Sequence, residues 1–305
     1  MLAKQHSLSI GQHKVHQSIV QPSGLQVCGA RRQRAMMVEQ QRPEQPLTRV
    51  ASYKVDHSAK DDAYNRNMQR QMGWSHLNPL EYHFDRGLYY HEILPNLICG
   101  CQPRNSADVD ILAETEGVTH ILNLQQDKDM HYWGVQLEEI RRACAKHSIN
   151  HMRRPARDFD PHSLRRTIPG AVHTLAQALN SNGRVYVHCT AGLGRAPAVC
   201  IAYLYWFTSR QLDEAYSFLT DIRPCGPKRD AIRGATYDVL ACTNCCTGSS
   251  NGNGTGHNGG HHHHHNNNNG AADFNAFDSL PHDAFASLSD DDRFALQYRI
   301  LKGLC

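Results

Sequence analysis

The stretch that most constrains the fold of this chain is residues 185–197, with the sequence VYVHCTAGLGRAP. Its β-branched and aromatic start predicts a short strand, and the apolar run over residues 196–207 predicts a long helix. Gly192 and Gly194 lie in the loop between them. A strand, a tight loop and a helix in this order direct backbone N–H groups and the positive end of the helix dipole at one point. Such a point attracts an anion.

A cysteine and an arginine flank this predicted anion site. Cys189 follows the strand directly, where the helix dipole, the loop amides and the nearby arginine all favour a thiolate. Arg195 carries a planar guanidinium that can bind two phosphate oxygens at once. We predict Cys189 as a nucleophile and Arg195 as a phosphate ligand, because a buried core thiol beside a helix-start charge would leave the loop glycines unexplained. The predicted phosphate-binding loop consists of Thr190, Ala191, Gly192, Leu193, Gly194 and Arg195.

The spacing of His188, Cys189 and Arg195 resembles the signature of the cysteine-based phosphatases. Displacing an alcohol from phosphate also requires a proton donor for the leaving oxygen. In such phosphatases with small domains the donor lies on a loop about thirty residues before the cysteine, which points to Asp158, with Asp160 as an orienting group or a surface charge. The resemblance implies a phosphocysteine intermediate without metal or cofactor. His188 is then expected to hydrogen-bond beside the cysteine rather than to act as a base.

The rest of the ordered sequence alternates between predicted strands and predicted helices. Strands are predicted over residues 92–99, 118–124, 149–152 and 185–187, and helices over 108–116, 134–147, 163–180, 196–207, 212–220 and 228–240. This alternation predicts an α/β fold with a central, mostly parallel sheet flanked by helices. The apolar residues over 277–300 predict a C-terminal docking segment and a terminal helix.

Composition divides the chain into four predicted parts. Residues 1–57 are basic and acid-poor, which predicts a transit peptide, the alternative being a disordered basic arm. The catalytic domain is predicted at 75–245, a disordered His/Asn/Gly-rich insert at 247–271, and a segment packing on the catalytic domain at 272–305. A net charge of +3 gives no indication of a nucleic-acid partner, and no apolar run reaches about 18 residues, so no membrane span is expected.

Three further stretches resemble the plant starch phosphatases of the Like Sex Four Two type. They are residues 122–134, 151–160 and 223–237, and the whole resemblance covers about 81–240 and 277–300. It implies that a monomeric enzyme removes phosphate monoesters, with preference for the C3 position, from amylopectin in the plastid. The glucan-binding aromatics carried over by the resemblance are Tyr82, Tyr132, Trp133 and Phe159. The chain departs from the pattern at Leu80, where relatives carry another aromatic residue, and at Ala196, where many cysteine phosphatases carry Ser or Thr.

The sequence leaves three alternatives open. A dual-specificity phosphatase acting on Ser, Thr or Tyr phosphates would share Cys189, Asp158 and Arg195. A non-catalytic glucan-binding scaffold is a second alternative, disfavoured by these same three residues. A third concerns redox state: the scattered cysteines fit a reducing compartment, and a regulatory disulfide between Cys101 and Cys189 is a separate hypothesis.

Overall fold

The computed structural model describes residues 57–72, 80–241 and 277–304, all within one compact unit in residues 39–305. The predicted transit peptide, except for its last residue, and the predicted insert at 247–271 lie outside the described residues. The strands are β1 Tyr90–Leu94, β2 Leu97–Gly100, β3 His120–Asn123, β4 Asn150–Arg153 and β5 Val185–His188. The helices are α1 Ser58–Met72, α2 Ser106–Glu114, α3 Asp127–Trp133, α4 Leu137–Lys146, α5 Pro161–Asn180, α6 Arg195–Phe207, α7 Leu212–Ile222, α8 Arg229–Ala241 and α9 Asp290–Lys302.

The five strands form one sheet in the order β1-β2-β5-β3-β4. Only β1 pairs in the antiparallel sense, while β2, β5, β3 and β4 run parallel to one another. This arrangement confirms the predicted α/β fold with a mostly parallel central sheet. Val187 on the central strand pairs with Cys99 on one side and Leu122 on the other, so Cys189 leaves the carboxyl end of the innermost strand. That end is where ligands bind in open α/β sheets.

Helices cover both faces of the sheet because side chains on its strands alternate between two apolar cores. Val185 and Val187 face a core shared with α5, α6, α7, α8 and α9. Tyr186, between them, faces a second core built from α1, α2, α3 and α4. The central strand is therefore buried on both sides, as expected for a parallel sheet with helices on its two faces.

The structure corrects the prediction of a single strand over residues 92–99. Two strands, β1 and β2, form a hairpin there, with Tyr90 opposite Gly100. Pro95 has no N–H to donate to a ladder and Asn96 favours turns, so the chain reverses at this pair. The Pro-Asn pair between two apolar runs is the sequence signal of this turn.

Two helices are absent from the sequence-based assignment, and one begins earlier than expected. The sequence analysis does not predict α1 or α3, because α1 has few apolar residues and α3 is short and polar at its start. Helix α5 begins at Pro161 rather than at Ser163, since the side chain of Asp160 accepts a hydrogen bond from the Ser163 N–H at 2.9 Å. Asp160 is thus the N-cap of α5.

The C-terminal helix α9 packs against α5, α6 and α8. Leu296 and Ile300 are fully buried in the core on this side of the sheet. Arg293 donates to the Thr208 carbonyl at 2.6 Å, and Gln297 donates to the Trp206 carbonyl at 2.7 Å. Among the helices that the structure describes, none has the length and apolar character needed to cross a membrane.

Candidate active site

The loop after β5 is folded tightly against the hairpin. Gly192 has φ +69°, and a Cβ atom there would lie 2.3 Å from the carbonyl oxygen of Gly100. The Gln102 N–H donates to the Thr190 carbonyl at 2.9 Å and fixes the start of the loop. Cys189 is 3% exposed at this position. Only glycine fits at 192, because a side chain would meet both the left-handed backbone and the neighbouring chain.

A fully buried arginine, Arg223, holds the loop from beneath. Its Nε donates to the Gly192 carbonyl at 2.8 Å and its Nη2 donates to the Ala191 carbonyl at 3.2 Å. Its Nη1 donates to the Tyr89 carbonyl at 3.4 Å. By binding these loop carbonyls, Arg223 keeps them turned away from the position where an anion would bind. The role of Arg223 in holding the loop was not predicted from the sequence, because Arg223 lies in a separate loop after α7.

Arg195 is buried at the N-terminus of α6 and is held by two carboxylates. Its Nη1 lies 2.6 Å from Asp129 Oδ2, and its Nη2 lies 2.9 Å from Asp158 Oδ2. Burial opposes the charged form, but the carboxylates and Cys189 together raise the pKa of Arg195, which keeps the guanidinium charged. Its Nε is buried and has no partner among the described residues. This N–H is therefore available to a phosphate oxygen.

Asp158, the predicted general acid, lies between Arg195 and Tyr64. The Tyr64 hydroxyl donates to Asp158 Oδ2 at 3.2 Å. Burial raises the pKa of Asp158 above its usual range, although Arg195 acts in the opposite direction. A carboxyl whose pKa is raised retains its proton to higher pH, as proton donation to a leaving oxygen requires. Asp160, the other predicted candidate, caps α5 instead.

His188 precedes the predicted nucleophile, and it is neutral in the folded protein. Its Nδ1 lies 3.1 Å from the Cys189 carbonyl oxygen, and the side chain is buried. Burial lowers the pKa of His188 to about 3. A hydrogen bond from Nδ1–H to this carbonyl orients the backbone at the start of the loop.

A buried polar network joins the ends of β2 and β3 to the loop. Gln125 Nε2 donates to Gln102 Oε1 at 2.8 Å and to Thr190 Oγ1 at 3.1 Å. Arg195 Nη2 lies 3.2 Å from the same Thr190 oxygen. Gln102, Gln125 and Asp129 were not predicted as site residues. Gln102 and Gln125 each follow closely a strand that ends at the carboxyl edge of the sheet, where polar groups converge, and Asp129 lies in α3, the helix after β3.

The four predicted glucan-binding aromatics lie in different environments. Tyr82 and Trp133 are buried, Phe159 is half-buried and Tyr132 is 43% exposed. The structure brings Tyr82, Trp133 and Phe159 together around a fifth ring, Tyr64, whose centroid lies 5.5–5.8 Å from all three. Tyr132 lies at the edge of this cluster, 5.1 Å from Trp133 between ring centroids. Tyr64 was not predicted.

Two further groups have chemistry outside this centre. Cys101 is a free thiol, and burial raises its pKa to about 11 although a hydrogen bond from the Tyr89 N–H acts in the opposite direction. This raised pKa disfavours the reactive thiolate that a disulfide with Cys189 would require. Asp110, Glu114 and His147 place ligand atoms within 4.8 Å of one another, the kind of set that could hold a metal ion. Lys146 pairs with Asp110 at 3.1 Å in the same group.

Comparison with known proteins agrees with this geometry. Residues 100–233 match the family model "Dual specificity phosphatase, catalytic domain". The chain is 43% identical over 183 residues to the phosphoglucan phosphatase DSP4, amyloplastic, of Castanea sativa, covering 59% of this chain and 48% of that protein. It is 38% identical over 162 residues to the phosphoglucan phosphatase LSF1, chloroplastic, of Arabidopsis thaliana, covering 53% and 27%. The matches thus span half or less of these relatives.

A solved structure of the phosphatase PTPMT1 in complex with PI(5)P is similar to 48% of this chain and to 91% of its own chain. The TM-score is 0.42 and the sequence identity 18%. The sequence relatives confirm the resemblance to plant phosphoglucan phosphatases that residues 122–134, 151–160 and 223–237 indicate.

Proposed function

We propose that this chain, which carries a dual-specificity phosphatase catalytic domain, hydrolyses phosphate monoesters on starch glucans through a phosphocysteine. The observation that carries the proposal is the site itself. Cys189 and the unpartnered Nε of Arg195 lie on one tight loop, and Asp158 lies 2.9 Å from the same guanidinium. Nucleophile, anion ligand and proton donor therefore converge on one point.

In the first step the Cys189 thiolate attacks phosphorus as the bond to the glucan oxygen breaks. Asp158 gives its proton to that leaving oxygen, so the glucan departs as a neutral alcohol. The loop amides of residues 190–195 and the Arg195 guanidinium bind the equatorial phosphoryl oxygens throughout. The products of this step are the free glucan hydroxyl, a phosphocysteine and an ionised Asp158.

In the second step water attacks the phosphocysteine. Asp158, now a carboxylate, takes a proton from that water while the S–P bond breaks, and the Cys189 thiolate and inorganic phosphate are released. Position 196 carries alanine, so the chain offers no hydroxyl at the place where many cysteine phosphatases use one to assist this step. Hydrolysis of the intermediate then relies on Asp158.

The glucan substrate is supported by the two relatives, whose names state phosphoglucan phosphatase activity, and by the aromatic cluster beside Asp158. Aromatic rings offer flat apolar surfaces to the C–H faces of sugars. We propose Tyr82, Tyr132, Trp133 and Phe159 as the glucan contacts and C3-linked phosphate as the preferred ester. The relatives are amyloplastic and chloroplastic, so we propose the plastid, at the starch granule surface, as the site of action of a monomer.

The test is phosphate release from phosphorylated amylopectin, a phosphotyrosine peptide and an aryl phosphate, with Cys189→Ser as the control. The proposal predicts that amylopectin gives the highest rate relative to the aryl phosphate and that all release is lost in the control. Faster hydrolysis of the peptide would identify a protein phosphatase. Binding of amylopectin without hydrolysis of any substrate would identify a scaffold.

A further inference from the structure

Helix α1 is a polar helix that lies against the proposed active site. Its buried residues are Asp61, Asn65 and Met68, which share one face of the helix. Hydrogen bonds of Asn65 and Asp61 to neighbouring loops hold this face, together with Met68, which is buried in the second core. Each of these hydrogen bonds exchanges for a bond to water when the helix moves away, so the net stabilisation by the hydrogen bonds is modest.

The face of α1 binds the same residues that are proposed to bind glucan. The Asn65 side chain accepts from the Tyr82 N–H at 2.8 Å and donates to the Tyr82 carbonyl at 2.9 Å. Lys60 Nζ donates to the Tyr132 carbonyl at 2.9 Å and lies 5.5 Å from the centroid of its ring. With α1 in place Tyr82 is 6% and Trp133 2% exposed, so neither ring is available to a sugar.

Tyr64 extends this contact to the reacting groups. Its ring packs among Tyr82, Trp133 and Phe159, as an aromatic or sugar ring of a substrate would. Its hydroxyl binds Asp158 Oδ2 at 3.2 Å, and Asp158 is the group that must protonate the leaving oxygen of a substrate. Tyr64 thus occupies the position of a leaving alcohol.

The C-terminal end of α1 contacts the phosphate-binding loop. A Cβ atom at Gly194 would lie 2.7 Å from Met72 Cε, so the last residue of α1 touches the phosphate-binding loop. Gln71 and Met72 line a cavity of about 30 Å³ together with Asp158 and Arg195. Such a volume holds about two water molecules. With α1 in this position, the cavity beside Asp158 and Arg195 is too small to hold a phosphorylated glucosyl unit.

We infer that α1 is an intramolecular cover of the active site, and that substrate must displace it. The covered and open states are in equilibrium, and any ligand that binds only the open state shifts the population toward it. The part of the inference that names a glucan chain as the displacing ligand rests on the proposed function. The cover itself depends on the contacts of α1 with Tyr82, Tyr132, Asp158 and the phosphate-binding loop, and not on the identity of the displacing ligand.

The test uses the full-length chain with Asn65→Ala, which removes both bonds to Tyr82, and with Arg66→Ala as a matched control, because Arg66 is exposed on the same helix. We expect Asn65→Ala to raise kcat/KM for an aryl phosphate by about 2- to 10-fold, and the control to leave it unchanged. Unchanged or lowered kcat/KM in a folded Asn65→Ala protein would overturn the inference.

A second variant, Tyr64→Phe, removes only the hydroxyl that binds Asp158 and keeps the ring. The cover predicts a rise in aryl phosphate hydrolysis, whereas a Tyr64 that positions Asp158 for catalysis predicts a fall, and a fall would contradict the inference. Amylopectin separates this inference from the proposed function. If Asn65→Ala accelerates aryl phosphate hydrolysis while no variant releases phosphate from amylopectin, the cover stands and the glucan function fails. If wild-type protein hydrolyses amylopectin and Asn65→Ala slows hydrolysis of both amylopectin and the aryl phosphate, the glucan function stands and the cover fails.

Discussion

Two parts of the candidate site are held by different kinds of contact, the loop of residues 189–195, called the floor below, and helix α1, called the roof. The floor is the loop of residues 189–195, fixed by backbone hydrogen bonds and by the fully buried Arg223. The roof is α1, which is held by hydrogen bonds between Asn65 and Tyr82, by the ring contacts of Tyr64 and by Met68 in the second core. Hydrogen bonds to a charged group are stronger than the neutral hydrogen bonds that Asn65 makes. We therefore expect the loop to be the more rigid part and α1 the more readily displaced one.

Loss of the nucleophile gives the largest expected effect. Cys189→Ser replaces the thiolate with a hydroxyl that is un-ionised at neutral pH, so we expect kcat to fall by at least about 10⁴-fold. Serine differs from cysteine by one atom of similar size, so thermal unfolding is expected to change little. Residual activity above one per cent of wild type, measured with an aryl phosphate, would contradict the assignment.

Asp158→Asn is expected to lower kcat by about 10²- to 10⁴-fold, because the variant cannot protonate the leaving oxygen. The raised pKa of Asp158 means that wild-type activity falls as pH rises through that value, and this limb of the pH–rate profile should disappear in the variant. Asp160→Asn is the matched control, since Asp160 caps α5 and pairs with the exposed Arg157. Equal losses in the two variants would show that the general acid is misassigned.

The floor could be predicted from the sequence far better than the roof. Cys189, the loop and Arg195 are contiguous, and the strand and helix around them have strong local signals. Asp158 was predicted as the general acid because its distance from Cys189 in the sequence resembles a known pattern, and that role remains a prediction. Arg223 and Tyr64 carry no such signal, because their roles arise from contacts with residues 31 and 94 positions away. Helix α1 also lacks an apolar stripe, so periodicity does not reveal it.

Arg223→Lys tests the anchorage of the floor. Lysine keeps the charge but cannot bind the Ala191 and Gly192 carbonyls with a planar fork. We expect the free energy of unfolding to fall by about 3 kcal/mol, the range for losing buried hydrogen bonds to a charged group. Chemical denaturation measures it, and Arg66→Ala on the roof is the comparison, with a change within about 0.5 kcal/mol. Similar small changes at both positions would remove the distinction between floor and roof.

His188 gives the smallest predicted effect, and it depends on pH. Its pKa is about 3 in the folded protein and ~6.5 when unfolded, so between these values the unfolded chain binds the additional proton. Stability therefore rises with pH across this window, and His188 makes the protein about 2 kcal/mol less stable at pH ~5 than at pH ~7. We expect His188→Asn to reduce the difference between the two pH values by that amount. Denaturation curves showing the same difference in both proteins would contradict the buried neutral histidine.

The central claim is that the floor holds a cysteine that takes up the phosphoryl group. Its most direct test is acid quenching of the wild-type protein during turnover of phosphorylated amylopectin or an aryl phosphate, followed by mass spectrometry of the peptide that contains Cys189. The account predicts one phosphoryl group on Cys189 and none in Cys189→Ser. A wild-type enzyme that turns over substrate without any phosphoryl group on Cys189, or with the group on another residue, would contradict it.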